Sequence, residues 1–406
     1  MEKEMFYGVF KRFATENHYT DLAKALNSAA TTRDTKATIR PVTRKGIVYG
    51  HMSQLVIKDG ICYATFIENP GNDGEKLYSR TSRIVLAVFP LERALSPDFE
   101  PEKDIVYRQI GGLGGTCAGF TAKSIFKCNS MCLVGDEIYI LFCFQTEDGR
   151  FRIFRKVYDI PTGTFGKEKA LNLAYGEKVF PFDDAGVNAI YAAEGRTPAG
   201  NDVVEVVSNW SEYNGEYYAT FLVTSPPNCG LVVKTADFET VRFVSTIPGN
   251  EHGTAEASSY IWHDTLFVAC RQDYFLPYMM LTAYDLKSGK WYDPNWIEDG
   301  TSRPWFFEKD GELYLINTTE EYLRRYANIS RIVVKPQWKL AGYAIDTVGT
   351  LYGCGFYFAV TEYGGRLFFL SSGPVGNHLV RFGELKLTEY DTAAVNGKFL
   401  SLMEET

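Results

Sequence analysis

SRPWFFEKDGELYLINT, residues Ser302 to Thr318, reads as apolar strand, tight turn, apolar strand. Asp310-Gly311 at its centre supplies the positive φ values that a two-residue hairpin turn requires. An arginine, Arg303, stands at the entrance of the first strand, where a hairpin by itself has no need of one. The fold follows from whether the chain repeats this unit.

It does, six times. SQLVIKDGICYATF (Ser53 to Phe66) turns at Asp59-Gly60, and NSMCLVGDEIYILF (Asn129 to Phe142) at Gly135-Asp136. SNWSEYNGEYYATF (Ser208 to Phe221) turns at Asn214-Gly215, and EASSYIWHDTLFVAC (Glu256 to Cys270) near His263-Asp264. RPWFFEKDGELYLIN (Arg303 to Asn317) is the opening hairpin, and GFYFAVTEYGGRLFFL (Gly355 to Leu370) turns at Gly364-Gly365. Only His263-Asp264 lacks the Gly or Asn that such turns favour. A third strand often follows, as in TSRIVLAVF, FRIFRKVYDI, GLVVKTAD, YMMLTAYDL and SRIVVKP, and some units close with a fourth, as in GKWYDP or TVRFVSTI.

Six four-stranded meanders in one chain predict an all-β fold, a β-propeller of six blades, with five or seven as alternatives. Radial packing buries both faces of each sheet, so strands are expected to be apolar throughout rather than cleanly alternating. A pair of β-sandwiches is the competing architecture, but it predicts less regular turn spacing. The turns advance by about 50 residues late in the chain and by about 75 to 80 early. Segments 90–125 and 161–200 therefore read as insertions, or one of them as a degenerate seventh unit. Residues 1–36 read as an N-terminal extension with a short helix at HYTDLAKALNSAA (His18 to Ala30), and residues 37–406 as one propeller domain.

Composition narrows the function. A formal net charge of −8 argues against a nucleic-acid partner, because phosphate binding needs clustered Lys and Arg. No run of about 20 apolar residues predicts a membrane span. The start MEKEMFYGVFKRFATENH has no signal-like apolar core, so the chain as it stands reads as soluble and cytoplasmic, or as secreted or periplasmic if a signal preceded it. Eight scattered cysteines, several inside apolar runs, read as buried free thiols. Cys128 and Cys132 lie four apart without a second pair, so no metal site is expected. GGLGG (Gly111 to Gly115) lacks the strand and helix of a phosphate loop, and no cofactor is expected. Oligomeric state is left open.

Position in the repeat selects candidate residues. In a propeller the innermost strand starts at one face, beside the central funnel, and the loop after the second strand returns to that face. His51, Asn129, Glu205, Glu256 and Arg303 stand before or at first strands. Glu68, Gln145, Arg271, Asp273, Tyr274 and Glu320 stand in the loops after second strands. A charge near the axis must be paired or bind something.

The fourth unit, HGTAEASSYIWHDTLFVACRQDYFLPYMMLTAYDLKSGKW, resembles the sialidase-like (BNR-repeat) propellers. In that family a Glu opens one hairpin, an Arg closes its second strand, and an Asp-box-like turn ending in Trp follows. Glu256 and Arg271 match the first two places, and YDLKSGKW is a loose, lengthened version of the third. Arg303 would then join an acid-binding cluster. The chain departs from the family at the first hairpin, where HMSQL puts His51 in the place of the arginine of Arg-Ile-Pro. TIRPV (Thr38 to Val42) is a near miss one strand too early, and no clean Asp box is present. His51 also suggests the similar propeller polysaccharide lyases, in which His, Tyr and Arg act on a uronate.

The resemblance implies a carbohydrate-active enzyme acting on an acidic or hydroxyl-rich glycan. As a glycoside hydrolase it needs two carboxyl groups, or a tyrosine nucleophile activated by a carboxylate. Glu256, His51, Tyr274 and Glu68 are the catalytic candidates, with Asp73 as another possible acid. Arg271, Arg303, Asn129, Gln145, Asp273, His252 and Glu320 are the candidates for binding sugar, the arginines by bidentate contact with a carboxylate. The alternatives are a lyase, with His51, His252, Tyr274 and Arg271 in the reacting roles, and a propeller that binds glycan or protein without turnover.

Overall fold

The computed structural model describes residues 39–70, 82–112, 114–166, 168–195, 203–206, 208–224, 229–248, 256–271, 279–297, 302–318, 326–333, 344–352, 355–373 and 379–387. The predicted N-terminal extension and its helix lie outside them.

All six hairpins form. Five turn through two consecutive residues of positive φ, and the turn at Gly135-Asp136 has positive φ at Gly135 alone. His263 and Asp264, with φ of 47° and 58°, adopt the same left-handed pair as Asn214-Gly215. The hairpin geometry is thus imposed there without a glycine, because the flanking strands are paired from Ala257–Cys270 to Trp262–Thr265.

Each hairpin supplies the inner two strands of one sheet, and the described strands make six sheets. The first runs outward from Tyr49–Lys58 through Ile61–Asn69 and Arg83–Pro90 to Val106–Gly112. The fifth runs from Trp305–Lys309 through Glu312–Thr318 and Tyr326–Val333 to Ala344–Tyr352. The inner strand of each sheet contacts its counterparts in the sheets before and after it, and the sixth contacts the first, so the sheets close into a ring. This is a β-propeller. The chain's own start completes it: Ile39–Pro41 pairs antiparallel with Val380–Leu385 as the outermost strand of the sixth sheet. Pro41, with no N–H to donate, suits an edge strand. The near-miss TIRPV is this closing strand.

Packing between sheets explains the uninterrupted apolar strands. Along Glu137–Thr146, Ile140, Phe142 and Phe144 pack toward the first sheet, with Ile84 and Leu86. Their alternates Leu141 and Cys143 pack toward the third, with Phe221 and Val233. Along Thr265–Arg271, Phe267 and Ala269 join Phe306 and Leu315 of the fifth sheet, while Leu266, Val268 and Cys270 join Val232 and Ile247 of the third. Period-two side-chain alternation persists, but both faces are interior. Each large apolar side chain so buried contributes about 1.5–3 kcal/mol.

Segment 161–200 enlarges the third sheet. Asn172–Tyr175 pairs in parallel with Thr240–Thr246, and Lys178–Pro181 pairs with Asn172–Tyr175. Helix Asp184–Ala193 follows, capped by the Asp183 carboxylate, which accepts from Gly186 N at 2.9 Å. It buries Val187, Ile190 and Tyr191 in the core between the second and third sheets. Segment 90–125 includes the outer strand of the first sheet, preceded by two short helices, Leu91–Leu95 and Pro101–Asp104. Among the described residues Cys62, Cys117 and Cys132 are buried free thiols, and Cys143 and Cys270 are buried as well. Burial pushes the Cys132 thiol up to about 12, which leaves it unreactive. No described helix is long and apolar enough to cross a membrane.

Candidate functional site

The inner strands all begin at one end of the ring axis and turn at the other. At the first end, the fourth sheet presents Glu256 and Arg271. Ala257 pairs with Cys270, so the flanking Glu256 and Arg271 stand opposite each other across the hairpin's open end. The Arg271 amide donates to the Glu256 carbonyl at 3.2 Å. Its Nη1 donates to Glu256 Oε2, also at 3.2 Å. Glu256 is buried and Arg271 half-buried. A partly desolvated, charge-assisted contact fixes the carboxylate in one orientation.

The first sheet lies across the ring from the fourth, and it presents Glu68 at the end of its second strand. This side chain is fully buried. Arg83, its partner in strand register, donates from Nε at 2.6 Å, and Arg44 donates from Nη2 to the same oxygen, Oε1. The second oxygen, Oε2, is buried with no hydrogen-bond partner among the described residues. The Arg44 guanidinium lies 4.8 Å from the centre of the Tyr107 ring. Tyr107 in turn donates to the Val42 carbonyl at 2.7 Å. Burial, with the Glu68 charge adding to it, holds the Tyr107 phenol far above its ordinary range.

Between the two ends the axis is filled. Arg303 is wholly buried, and its Nη2 donates to the carbonyls of Ser53 at 3.1 Å and Phe358 at 3.2 Å. Its guanidinium lies 5.2 Å from the ring centres of Trp305 and Tyr357. One side chain of the fifth sheet therefore ties the sixth and the first. Asn129 accepts from Thr65 Oγ1 at 2.5 Å and donates to the Met52 carbonyl at 2.9 Å, which joins the second sheet to the first. His51 is buried, with Nδ1 2.9 Å from Ser372 Oγ and its ring centre 4.1 Å from that of Tyr357. Gln145 is half-buried and donates to the Gly149 carbonyl at 2.9 Å.

Two matching irregularities bring these groups together. The first sheet shifts register between His51 and Gln54, and the sixth between Phe356 and Ala359. Met52 and Tyr357, inside those shifts, both have φ of 57°. A bulge re-aims side chains, and non-glycine residues in this region cost about 1–3 kcal/mol each. The surrounding core sustains that cost where His51 and Tyr357 meet.

Of the sequence candidates, Glu256 and Arg271 are paired at one end, Glu68 is held at the same end, and His51, Asn129 and Arg303 are packed along the axis. Tyr274, Asp273, His252 and Glu320, with Asp73, lie outside the described residues. Sequence reasoning missed Arg44 and Arg83. Arg83 was visible as the residue that opens the third strand opposite Glu68, whereas Arg44 carries no local signal. Among the described residues no group of His, Cys, Asp or Glu could hold a metal ion.

No protein-family model matches this sequence, and neither does any curated protein. Solved structures do match in shape. Trypanosoma rangeli sialidase aligns with a TM-score of 0.56 at 10% identity, over 83% of this chain and 55% of its own. Phage phi92 endosialidase aligns at 0.54 and 11% identity, over 88% of this chain and 70% of its own. The intramolecular trans-sialidase from Ruminococcus gnavus, solved with oseltamivir carboxylate, aligns at 0.52 and 11% identity, over 89% of this chain and 99% of its own. The chain spans little more than half the length of the trypanosomal enzyme. Ring closure and these alignments define the class as a β-propeller. Within that class the fold is like that of these sialidases.

Proposed function

We propose that this chain is a sialidase-like glycoside hydrolase that takes an acidic or hydroxyl-rich glycan at the axis end where the inner strands begin. The Glu256–Arg271 pair carries the reading. It sets a carboxylate beside a cation at the end where the inner strands begin, on a fold like that of glycan-cleaving enzymes. Arg271 would face a carboxylate or hydroxyls of the sugar, and Glu256 would serve as the carboxylate that activates the nucleophile. Tyr274, three residues beyond Arg271 in the chain, is the nucleophile this reading favours, because a phenol needs a neighbouring base to attack an anomeric carbon. Glu68, on the opposite side of the ring, or Asp73 would protonate the leaving oxygen. Asp273, His252, Glu320 and Gln145 would complete the sugar contacts, Asn129 would brace the floor beneath them, and His51 would orient them through Tyr357. Arg303, buried beneath, would lend positive charge to the floor.

His51 in place of the arginine of Arg-Ile-Pro argues for a glycan whose acidic group is not held by an arginine at that place. Elimination at a uronate finds no support in the neighbouring folds.

A glycan panel read by release of reducing ends tests the proposal. Turnover of at least one member is expected, and Glu256→Gln with an unchanged unfolding curve should reduce it by roughly 100- to 10,000-fold, the usual worth of a positioned acid or base. Undiminished turnover would remove Glu256 from the reaction. Binding without any turnover would establish the non-catalytic reading instead.

A further inference from the structure

At the opposite end of the axis, where the hairpins turn, the six sheets enclose a cavity of about 650 Å³. None of the candidates discussed above lines it. Its walls come from the later part of the inner strands and from the turns, and they carry two kinds of group. Trp210 and Trp305 supply aromatic side chains. Their polar atoms are already used, Trp210 Nε1 donating to Ser130 Oγ at 2.9 Å and Trp305 Nε1 to the Val360 carbonyl at 3.0 Å.

The second kind is acidic. Glu212, Glu308, Asp310 and Glu362 line the cavity against a single lysine, Lys309, which is itself 2.7 Å from Asp310. The turns hold two of these carboxylates in place: Gly215 N donates to Glu212 at 2.7 Å and Gly365 N to Glu362 at 2.5 Å. Tyr260 donates to Glu308 Oε2 at 3.2 Å. Burial and the Glu308 charge hold the Tyr260 phenol above its ordinary range, so it remains a donor. Low-dielectric walls lined by one sign of charge concentrate the opposite sign.

The third observation is independent of charge. Gln54 lines the same cavity and is 2% exposed, and its Nε2 has no hydrogen-bond partner among the described residues. A buried donor left unmade costs about 1–3 kcal/mol, so the site calls for an acceptor oxygen.

We propose that this cavity binds an amino sugar. A protonated amine would sit among the carboxylates, one apolar sugar face would lie on an indole, and a hydroxyl oxygen would accept from Gln54 Nε2. The indoles also favour a cation directly. The proposal does not rest on the hydrolase reading, since it concerns the other end of the axis.

Calorimetric titration of the full chain in mildly acidic buffer tests it, with glucosamine as the probe and N-acetylglucosamine and spermidine as comparisons. Saturable binding of glucosamine is expected, with N-acetylglucosamine, which lacks the charge, at least about tenfold weaker, or roughly 1.4 kcal/mol. Gln54→Leu and Glu308→Gln should each weaken glucosamine by about threefold or more, with unfolding temperatures recorded to confirm the fold, while Glu256→Gln should bind it as the parent does. No binding of glucosamine, equal binding of the acetylated sugar, or spermidine binding as tightly as glucosamine would each overturn the assignment. Loss of binding in Glu256→Gln would place the probe at the wrong end and overturn it equally.

Discussion

The two ends of the propeller axis use charge in opposite ways. Where the inner strands begin, carboxylates are matched by arginines: Glu256 with Arg271, and Glu68 with Arg83 and Arg44. Where the hairpins turn, four carboxylates share one lysine. Matched pairs survive burial because the partner offsets desolvation, and they fix geometry. Unmatched acids stay near water and create a field. The first arrangement suits the positioning of groups for a reaction, and the second suits capture of a cation. Arg303 separates them, buried in the axis with its Nη2 donating to two backbone carbonyls.

Breaking the matched end should have the largest effect. Arg271→Met leaves Glu256 without its guanidinium, and hydrolysis of the glycan that the panel identifies should fall by roughly 100-fold or more. That corresponds to about 3 kcal/mol, the usual loss when one member of a desolvated pair is removed. Arg271→Lys should restore only part of it, because an ammonium lacks the planar fork. Full activity in Arg271→Met, measured as kcat/KM, would mean that the pair only holds the hairpin shut.

Removing the divider comes next. Arg303→Met should lower stability in urea by about 2–4 kcal/mol, since it strands the Ser53 and Phe358 carbonyls and leaves a gap between two rings. A loss below about 0.5 kcal/mol would deny that Arg303 ties three sheets.

The turn end should respond to backbone strain rather than to charge. Gly311 has φ of 79° with open space around its Cα, so Gly311→Ala adds no clash and only conformational strain. A loss of about 1 kcal/mol is expected by thermal unfolding. No loss would mean that this turn does not need the left-handed form.

The smallest effect is electrostatic and lies on the sixth sheet, in a pair that belongs neither to the Glu256–Arg271 contact nor to the cavity lining. Hydrogen bonds from Arg366 hold the Glu384 carboxyl below its ordinary value. A lowered folded value means that the contribution is fully present above the unfolded pKa and is lost as pH falls through the folded one. Stability should therefore drop as the solution is acidified below about pH 4.5. Glu384→Gln should flatten that part of the profile. An unchanged acid limb would assign it to other carboxylates.

Much of the fold was legible because turn chemistry is local. Asp59-Gly60, Asn214-Gly215, Asp310-Gly311 and Gly364-Gly365 each specify a hairpin from two residues. His263-Asp264 does so through strand pairing that no dipeptide records. Helix Asp184–Ala193 had a signal, an Asp cap before apolar spacing at Val187, Ile190 and Tyr191, that lay inside a segment read as an insertion. The Glu256–Arg271 pair was legible from hairpin register. The axial place of Arg303 was legible too, but the Ser53 and Phe358 carbonyls it donates to were not, because they lie on strands far away in sequence. The cavity at the turn end was hidden for the same reason, since Gln54, Trp210, Tyr260 and Trp305 come from four sheets and no two of them form a motif.

A crystal structure of the Glu256→Gln protein with a glycan from the panel bound would test the central claim most directly. Sugar is expected between the first and fourth sheets, at the end where the inner strands begin, in hydrogen-bond contact with Arg271. Glycan found only in the cavity at the turn end, with the first end vacant, would contradict it.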